Sequence, residues 1–478
     1  MRLGKRARAA VVGVAVMLVA SGLELGLVRS FEFLPFPKAI EPWRPGEETR
    51  AALAAAREES RALPRPERAP ARGLTLVIVD GMRLDVSREM PSLLALGERG
   101  RFDTARADFP SFSKTSYATI LTGAPGPRVH GFLSNYRREA VPVESLVDVA
   151  REAGVHTRYL TDGLSWIPRM FPAFADTPTV DVGRWAETIA AGPHPHLTVV
   201  YFGEPDHTAH AHGPRSPQAL EVSRRIDAHI GRLAAGLDLE REALVVVSDH
   251  GHVDRGGHGG HEEECLLVPA IFCGAGFGKG RGAGAGEPFP LRDIARASAD
   301  ALGLRPPAGA LLRLPRPPRL SPLWNGLPAL LALAAVAAYV RVRLVRPRTL
   351  AAAALGIAAF FGLFALRGYP FSWSCINEDA HIPLFAAEIV AFAAAGHLLG
   401  SLLARDRGPS GHGPTALALA VALAAALGAV CGPTAATALD FPQVAFLYHL
   451  SLALLFAKGL IAAAAGLVRP GPAPSGAA

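Results

Sequence analysis

The 478-residue sequence is poor in cysteine and in charge, and each shortage excludes a class of protein. Four cysteines in so long a chain cannot form the disulfide framework of a small secreted domain. Only 19% of the residues are charged while 50% are apolar, which excludes disorder over most of the length. The same composition is too apolar for one soluble domain and too polar for membrane helices alone. We therefore expect one part of the chain in water and another in lipid.

The start of the chain has the order of residues that is typical of a signal segment. The basic stretch MRLGKRAR precedes uncharged residues from Ala9 to Leu23. Apolar character resumes further on and no lipobox cysteine follows, so we predict a retained signal anchor over 1–30, with cleavage as the alternative. Residues 31–72 are rich in Pro, Arg, Glu and Ala and predict a juxtamembrane linker with one helix across 46–62.

After residue 320 the composition changes abruptly and five apolar runs appear. They lie at about 323–340, 349–366, 382–404, 415–432 and 443–468. Each is close to the ~20 residues that a helix needs to cross the hydrocarbon core of a bilayer. We therefore predict a linker over 307–322, a membrane domain of about five helices over 323–468 and a cytoplasmic tail over 469–478.

Arginines concentrate in alternate connections of this predicted membrane domain. They are Arg341, Arg343, Arg346 and Arg348 after the first run, Arg405 and Arg407 after the third, and Arg469 after the fifth. Such loops face the cytoplasm, so the segment between the anchor and residue 320 is expected outside. The arginines of these cytoplasmic loops then account for a good part of the formal charge of +7. We predict a multi-pass protein of the cytoplasmic membrane, in contact with membrane lipids and without a nucleic-acid partner.

Ionisable residues also fall inside the predicted spans. They are Glu388, His397, His449 and Lys458. Such groups are costly in hydrocarbon and often mark a pathway or a lipid headgroup site. Pairing across the Ala-rich helices is the alternative. Five spans are more than an anchor needs, which suggests that the substrate itself lies in the bilayer.

Between 73 and about 306, short β-rich apolar runs alternate with helical stretches. The runs are LTLVIV (74–79), HTRYLT (156–161), LTVVYF (197–202), ALVVVS (243–248) and LLVPAIF (266–272). Near-continuous apolar strands separated by helices predict an α/β domain with a mostly parallel sheet covered on both faces. Ligands of such folds bind outside the carboxyl ends of the strands.

Metal-type ligands follow three of these predicted strands. They are Asp80 after the first, Asp206 and His210 after the third, and Asp249, His250 and His258 after the fourth. Three carboxylates and three imidazoles suit two divalent ions, with Zn²⁺ the leading candidate and Mn²⁺ the alternative. Two such ions ~3.5–4 Å apart would clamp the attacking and leaving oxygens of an in-line phosphoryl displacement.

The segment PSFSKTSYATILTG (110–123) offers a nucleophile. Its hydroxyls are those of Ser111, Ser113, Thr115 and Ser116, just before a helix-like stretch. A hydroxyl near a metal can ionise, and a helix N-terminus favours a bound phosphate.

At these motifs the sequence resembles the alkaline phosphatase superfamily, in particular its type I phosphodiesterase/nucleotide pyrophosphatase branch. VIVDGMRLD, PSFSKTSYATILTGAPGPRVHG, EPDHTAHAHGP and SDHGHVDRGGHGG occur in the family's order, and LRDIARASADALGLRPP resembles its closing helix. The resemblance implies that Ser113 is the nucleophile, with Thr115 as the alternative. It also implies two metals bridged by Ser113: one held by Asp206, His210 and His258, the other by Asp80, Asp249 and His250.

We also expect roles for residues near the predicted ligands and the predicted nucleophile. Ser116 stands where nucleotide pyrophosphatases carry an oxyanion-stabilising Asn, so Lys114 is expected to supply positive charge in its place. Arg83 and Asp85 are expected to pair and to position the Asp80 loop. Four histidines are expected behind the ligands or at the surface. They are His207, His212, His252 and His261.

Finer features are similar to the ethanolamine phosphate transferases of glycosylphosphatidylinositol (GPI). DGMRLD is similar to their Asp-Gly/Ala-x-Arg-x-Asp segment, and TDGLSWIPRMFP resembles their Asp-Trp-Phe-Pro stretch. This implies a membrane-embedded enzyme that acts on a phosphodiester or phospholipid through a covalent phospho-serine. The alternatives are a nucleotide pyrophosphatase-type hydrolase that the spans merely anchor, and a non-catalytic membrane scaffold.

Overall fold

The computed structural model describes residues 45–64, 69–130, 139–278 and 287–313, together with 359, 362–370, 374 and 388. The chain divides into two compact units. One contains 32–316 with 373–377, and the other contains 1–31, 317–372 and 378–478. The first unit includes the predicted catalytic domain.

Within the described residues of that unit, the strands form one seven-stranded sheet. They are β1 (Gly73–Val79), β2 (Arg101–Arg106), β3 (His156–Thr161), β4 (His196–Phe202), β5 (Glu242–Ser248), β6 (Leu267–Gly274) and β7 (Phe289–Pro290). Their order is β3-β4-β1-β5-β6-β2-β7. Neighbours pair in parallel except at β6, which is antiparallel to both β5 and β2. The predicted mostly parallel sheet is confirmed, with one reversed strand.

Helices connect these strands. They are α1 (Glu47–Ala62), α2 (Leu84–Ser87), α3 (Pro91–Arg99), α4 (Ser113–Thr122), α5 (Gly126–Val129), α6 (Leu146–Glu152), α7 (Ile167–Met170), α8 (Trp185–Ala190), α9 (Glu204–His212), α10 (Pro217–Gly236), α11 (Glu263–Leu266) and α12 (Asp293–Ala301). Short 3₁₀ helices cover Val182–Arg184 and Ala308–Leu311.

The sheet is buried on both faces, as its apolar strands predict. In β1, Leu76 and Ile78 belong to one apolar cluster, while Val77 and Val79 belong to another. The first cluster includes Ile120 of α4, Leu146 of α6 and Ile294 of α12. The second includes Leu93 of α3, Trp185 of α8 and Ile230 of α10. Alternate side chains of a strand point to opposite faces, so helices on both sides account for strands without polar alternation.

The five predicted strands coincide with β1, β3, β4, β5 and β6 to within two residues at either end. The strands β2 and β7 were not predicted. β2 reads RFDTAR, in which three of the six residues are charged, and β7 has only two residues. Because both lie at one edge of the sheet, they do not need the apolar runs that mark the central strands.

The first unit is wider at both ends than the α/β domain predicted over 73–306. The predicted helix across 46–62 is present as α1, and it packs on the rest of the unit. Ser60 of this helix is buried and donates a hydrogen bond to the carbonyl of Pro306. Arg57 binds Glu144, which also accepts two bonds from Arg305. These bonds connect α1, near the N-terminal end of the unit, to Arg305 and Pro306, near its C-terminal end.

No helix among the described residues is both long and apolar enough to cross a membrane. The predicted anchor and the predicted spans lie outside the described residues, apart from 359, 362–366 and 388. At the last of these, Glu388 pairs with Arg367, with 2.9 Å between Oε2 and Nη1. His397, His449 and Lys458 are outside the described residues.

Candidate metal centre

The carboxyl ends of three neighbouring strands, β4, β1 and β5, bring the predicted ligands together. Asp80 directly follows β1, Asp206 lies in α9 just after β4, and Asp249 directly follows β5. In three sets of residues, all ligand atoms lie within 4.8 Å of one another. The sets are Asp80, Asp249 and His250; Asp206, His250 and His258; and Asp206, His210 and His252. All six predicted ligands therefore meet at one place.

One half of the centre is formed around His250. Its Nε2 atom lies 3.3 Å from Oδ1 of Asp80 and 3.4 Å from Oδ2 of Asp249. The hydroxyl of Ser113 lies 3.0 Å from the same nitrogen. His250 and Asp249 are fully buried, and Asp80 is nearly so. Two carboxylates, an imidazole and a hydroxyl thus share one pocket.

The other half of the centre surrounds Oδ1 of Asp206. This oxygen lies 3.0 Å from Nε2 of His252, 3.4 Å from Nε2 of His210 and 3.7 Å from Nε2 of His258. The ring of His258 also stacks on His250 with 3.7 Å between centroids. The two halves are therefore in direct contact.

His252 is the residue whose place the sequence did not predict. It is fully buried in the centre, whereas it was expected behind the ligands or at the surface. Gly81 allows this position, because a Cβ atom there would come within 2.5 Å of Nε2 of His252. The sequence feature that could have indicated this burial is the position of His252 two residues after His250 in the same loop. Exposed His207 and His212 do lie at the surface, and His261 is half-buried.

Backbone carbonyls orient the buried imidazoles. Nδ1 of His258 bonds the carbonyl of Ser111 at 2.8 Å, and Nδ1 of His250 bonds that of Gly251 at 3.1 Å. Nδ1 of His252 bonds the carbonyl of Gly256. Since a carbonyl only accepts, each Nδ1 carries the proton, and each Nε2 keeps a lone pair directed at the carboxylates.

Two tyrosines that the sequence did not indicate hold Asp80. The hydroxyls of Tyr117, from α4, and Tyr201, from β4, both donate to Oδ2 of this carboxylate. Tyr117 lies one helical turn after Ser113, so both residues project from the same side of α4. That spacing was a usable signal, whereas Tyr201 was hidden inside an apolar strand.

Burial and mutual repulsion shift the carboxyl pKa values apart. Burial and then the charge of Asp206 raise the pKa of Asp80 to about 6, against the bonds from the two tyrosines. Burial and then Asp80 raise the pKa of Asp249 well above its usual range. Burial alone would raise the pKa of Asp206, but the imidazoles of His210, His252 and His258 outweigh it and lower that pKa. Burial lowers the pKa of His250 to about 4.

The residues present fit divalent cations. Four buried ligand atoms have no hydrogen-bond partner: Oδ1 of Asp80, Oδ1 of Asp206, Oδ2 of Asp249 and Nε2 of His252. Buried polar atoms are costly when left unsatisfied, and here they converge on one another. Carboxylate oxygens and neutral imidazole nitrogens are ligands that Zn²⁺ accepts. Bound cations would therefore satisfy atoms that the protein leaves without donors.

The nucleophile segment reaches the centre at the start of α4. Ser113 is the first residue of this helix, and no side-chain hydrogen bond caps it. Ser111 joins the segment to the His258 loop, because its hydroxyl accepts from the Gly259 amide and donates to the Gly260 carbonyl. Thr115 is fully buried, with its backbone carbonyl bonded by Thr119. Ser113 is thus the hydroxyl placed against the ligand set.

The two other predicted residues of this segment have different surroundings. The ammonium group of Lys114 lies 3.7 Å from the centroid of the Trp166 ring, in a cation–π contact. The Ser116 hydroxyl is buried without a hydrogen-bond partner. The predicted pair of Arg83 and Asp85 is present, with 2.8 Å between Nε and Oδ1. Arg83 also bonds the His252 carbonyl at 3.3 Å, and so ties the Asp80 loop to the Asp249 loop.

Comparison with known proteins agrees with these motifs. The family described as type I phosphodiesterase / nucleotide pyrophosphatase matches residues 164–260. Human ectonucleotide pyrophosphatase/phosphodiesterase family member 7 is 41% identical over 59 residues, which are 12% of this chain and 13% of that protein. The catalytic subunit of human GPI ethanolamine phosphate transferase 3 is 26% identical over 243 residues.

The latter match covers 42% of this chain but only 21% of the human transferase, so the chain spans a small part of either relative. Among solved structures, a protein in the alkaline phosphatase superfamily from Vibrio parahaemolyticus aligns with a TM-score of 0.41 and 12% identity, covering 55% of this chain and 78% of that one. The predicted family resemblance is confirmed by the sequence matches.

Proposed function

We propose that this relative of the type I phosphodiesterases/nucleotide pyrophosphatases and GPI ethanolamine phosphate transferases is a metal-dependent phosphotransferase or phosphodiesterase that acts through Ser113. The observation that carries the proposal is the Ser113 hydroxyl, 3.0 Å from Nε2 of His250 inside a set of buried carboxylates and imidazoles. A hydroxyl in such a place has no evident structural task. Its chemistry as a nucleophile explains its position.

Two divalent ions, Zn²⁺ first and Mn²⁺ second, would be held by this set. One would bind Asp206, His210 and His258, with His252 beside them, and the other would bind Asp80, Asp249 and His250. Bound cations supply positive charge that favours an ionised hydroxyl and offsets the charge on phosphoryl oxygens.

The side chains of the protein position the reacting groups. Tyr117 and Tyr201 hold Asp80 in one orientation, and backbone carbonyls fix the imidazole rings. The uncapped start of α4 directs amide N–H groups at the place where a phosphate lies against Ser113. The ionised oxygen of Ser113 forms a bond to phosphorus as the bond to the leaving alcohol oxygen breaks.

The resulting phospho-serine is resolved by a second displacement. The oxygen of an acceptor hydroxyl, from a glycan, a lipid or water, bonds to phosphorus while the bond to Oγ of Ser113 breaks. The released Ser113 oxygen takes up the proton that the acceptor hydroxyl gives up. Transfer and hydrolysis differ only in the acceptor, so the same centre serves both reactions.

A phosphoethanolamine-type headgroup is the substrate class that we favour. The match to the ethanolamine phosphate transferase covers 42% of the chain, compared with 12% for the pyrophosphatase/phosphodiesterase relative. The predicted spans favour a substrate that lies in the bilayer. The second candidate is a hydrolase of the nucleotide pyrophosphatase type, for which water is the acceptor. It is supported by the 41% identity over 59 residues.

We also propose that the catalytic unit lies outside the cytoplasmic membrane, between an N-terminal anchor over 1–30 and a membrane domain over 323–468. The arginine pattern supports this orientation.

The test is turnover of bis-p-nitrophenyl phosphate by the full-length protein in detergent. We expect a chelator to abolish it and Ser113→Ala to lower kcat by more than about a thousandfold, because the nucleophile is lost. Thr115→Ala is the matched control and keeps most of the turnover. Equal activity of wild type and Ser113→Ala would reject the catalytic proposal, and a larger loss in Thr115→Ala would move the nucleophile there.

The acceptor is identified with phosphatidylethanolamine vesicles that contain the full-length protein. Mass spectrometry of the lipids and glycans follows the headgroup. A headgroup lost from one component and gained by another supports transfer. Release to water alone supports the hydrolase, and no release at all rejects the substrate class.

A further inference from the structure

A second group of metal-type side chains lies at the opposite end of the sheet. His196 is the first residue of β4 and Glu242 is the first of β5. Both are paired in register with Gly73, the first residue of β1, and His194 lies two residues before β4. The ligand atoms of His194, His196 and Glu242 all lie within 4.8 Å of one another. The length of the strands, at ~3.3 Å per residue, separates this group from the candidate active centre.

The geometry of the group is close to that of a three-ligand site. Oε1 of Glu242 lies 3.7 Å from Nδ1 of His194 and 3.9 Å from Nε2 of His196. Ligands at ~2.0–2.1 Å from a tetrahedral Zn²⁺ are about 3.3 Å from one another. Contraction of the two distances from Glu242 by about half an ångström would bring them to this spacing.

Two of these ligand atoms are buried without a partner. Nε2 of His196 and Oε1 of Glu242 have no hydrogen-bond partner, although their side chains are 1% and 2% exposed. The other ring nitrogen of His196 bonds the Thr198 hydroxyl at 3.1 Å, which directs Nε2 at the carboxylate. Gly73 leaves the space open, because a Cβ atom there would lie 2.4 Å from that nitrogen. The imidazole nitrogen therefore lacks a donor or a cation, and the carboxylate oxygen lacks a hydrogen-bond donor.

Charged neighbours compete for the same carboxylate. Nη2 of Arg72 lies 3.2 Å from Oε1 of Glu242 and 3.7 Å from Asp238. Arg72 is 43% exposed, so its guanidinium group can turn into solvent. On the other side, His156 pairs in register with His196 and binds Asp176, which also binds Arg158. Asp176 therefore holds both His156 and Arg158.

We propose that His194, His196 and Glu242 form a second, separate binding site for a divalent transition metal, with Zn²⁺ as the ion that two imidazoles and one carboxylate suit best. His194 is 25% exposed and gives the ion a path from solvent. The ion would tie the starts of β4 and β5 together. The site does not depend on the proposed catalytic function.

The experiment measures zinc per chain in the full-length protein by mass spectrometry, after loading and dialysis. We expect His194→Ala and Glu242→Gln each to contain one equivalent less than wild type, with bis-p-nitrophenyl phosphate turnover unchanged. The matched control is His229→Ala on α10, which keeps the wild-type zinc content. Wild-type zinc in His194→Ala overturns the proposal, as does a joint loss of zinc and turnover.

Arg72→Gln separates a metal site from an ordinary ion pair. If the site binds zinc, removal of the competing guanidinium lowers the Kd of the His194-dependent equivalent by about fivefold. If Glu242 serves only as the partner of Arg72, the variant loses thermal stability and none of its zinc Kd values changes. The second result overturns the proposal even if His194→Ala fails to fold.

Discussion

His252 occupies the most constrained position in the candidate metal centre. Its Nε2 is 3.0 Å from Asp206, its Nδ1 is bonded to Gly256, and Gly81 leaves room for its ring. The bond of Nδ1 to the Gly256 carbonyl and the enclosure of the ring beside Gly81 keep Nε2 directed at Asp206 when a cation binds. His252 therefore acts as a further ligand, or it orients Asp206.

We predict that His252→Ala weakens zinc binding to the centre by about 10–100-fold, the usual effect of losing an orienting partner. Chelator competition on the full-length protein measures the Kd. His207→Ala is the control, because His207 lies on the same helix as Asp206 and is exposed. A Kd equal to wild type in His252→Ala would show that the residue only fills space.

The raised pKa of Asp80 predicts the pH dependence of metal binding. Burial and the charge of Asp206 raise it to about 6 in the metal-free protein. Below that pH a cation must displace the proton of this carboxyl, so affinity falls by about tenfold per pH unit from this group alone. Above it the carboxylate is already ionised. Asp249, whose pKa burial also raises, steepens the fall.

Zinc titrations at about pH 5 and about pH 7 measure this dependence. The melting temperature gives a second readout, because the gain on adding zinc shrinks as the pH falls through about 6. An affinity that stays constant over this interval would contradict the environment described for Asp80.

The groups of the candidate metal centre lie at the ends of strands and helices. The carboxyl ends of β4, β1 and β5 supply carboxylates, and the amino end of α4 supplies Ser113. Because these strands are adjacent and parallel, residues far apart in the chain meet at one edge. The amino ends of the same strands bring His196 and Glu242 together for the same reason.

The buried ion pair of Glu144 and Arg305 lies beside helix α1, whose half-exposed Arg57 also binds Glu144. Glu144 is 4% exposed and accepts bonds of 2.7 and 2.8 Å from Arg305, which is 2% exposed, and one of 3.0 Å from Arg57. We predict that Glu144→Gln lowers the free energy of unfolding by about 3 kcal/mol, because it leaves the Arg305 charge buried without its counter-ion.

Thermal unfolding of the purified protein measures this change. Glu187→Gln is the control, since Glu187 forms an exposed pair with Arg184 at 3.7 Å, and such pairs contribute only ~0–1 kcal/mol. Similar melting temperatures for the two variants would show that the buried Glu144–Arg305 pair contributes no more than an exposed pair.

The whole molecule has to combine a water-exposed sheet domain with a long apolar sequence. Leu164 is 97% exposed, and the proposed orientation places it on the outer side of the membrane. The same orientation places Arg346 on the cytoplasmic side. We predict that Leu164→Cys reacts with a membrane-impermeant maleimide in intact cells, whereas Arg346→Cys reacts only after permeabilisation. Wild type corrects for the native cysteines. The reverse pattern would invert the topology, and labelling of both would reject the predicted spans.

The sequence by itself determined the central strands and the meeting of the six candidate ligands. Both follow from local patterns: an apolar run marks a buried strand, and a polar residue directly after it lies at the sheet edge. β1, β3, β4, β5 and β6 were found for this reason. The choice of Ser113 required the family resemblance as well, because spacing alone left several hydroxyls open.

Only the tertiary structure decided the rest. The reversed direction of β6, the packing of α1, the tyrosines on Asp80 and the burial of His252 all depend on contacts between distant segments. So does the group of His194, His196 and Glu242. His196 and Glu242 are 46 residues apart in sequence and begin β4 and β5, which flank β1. Strand order and register bring such residues together, and neither is encoded in the local pattern of a single strand.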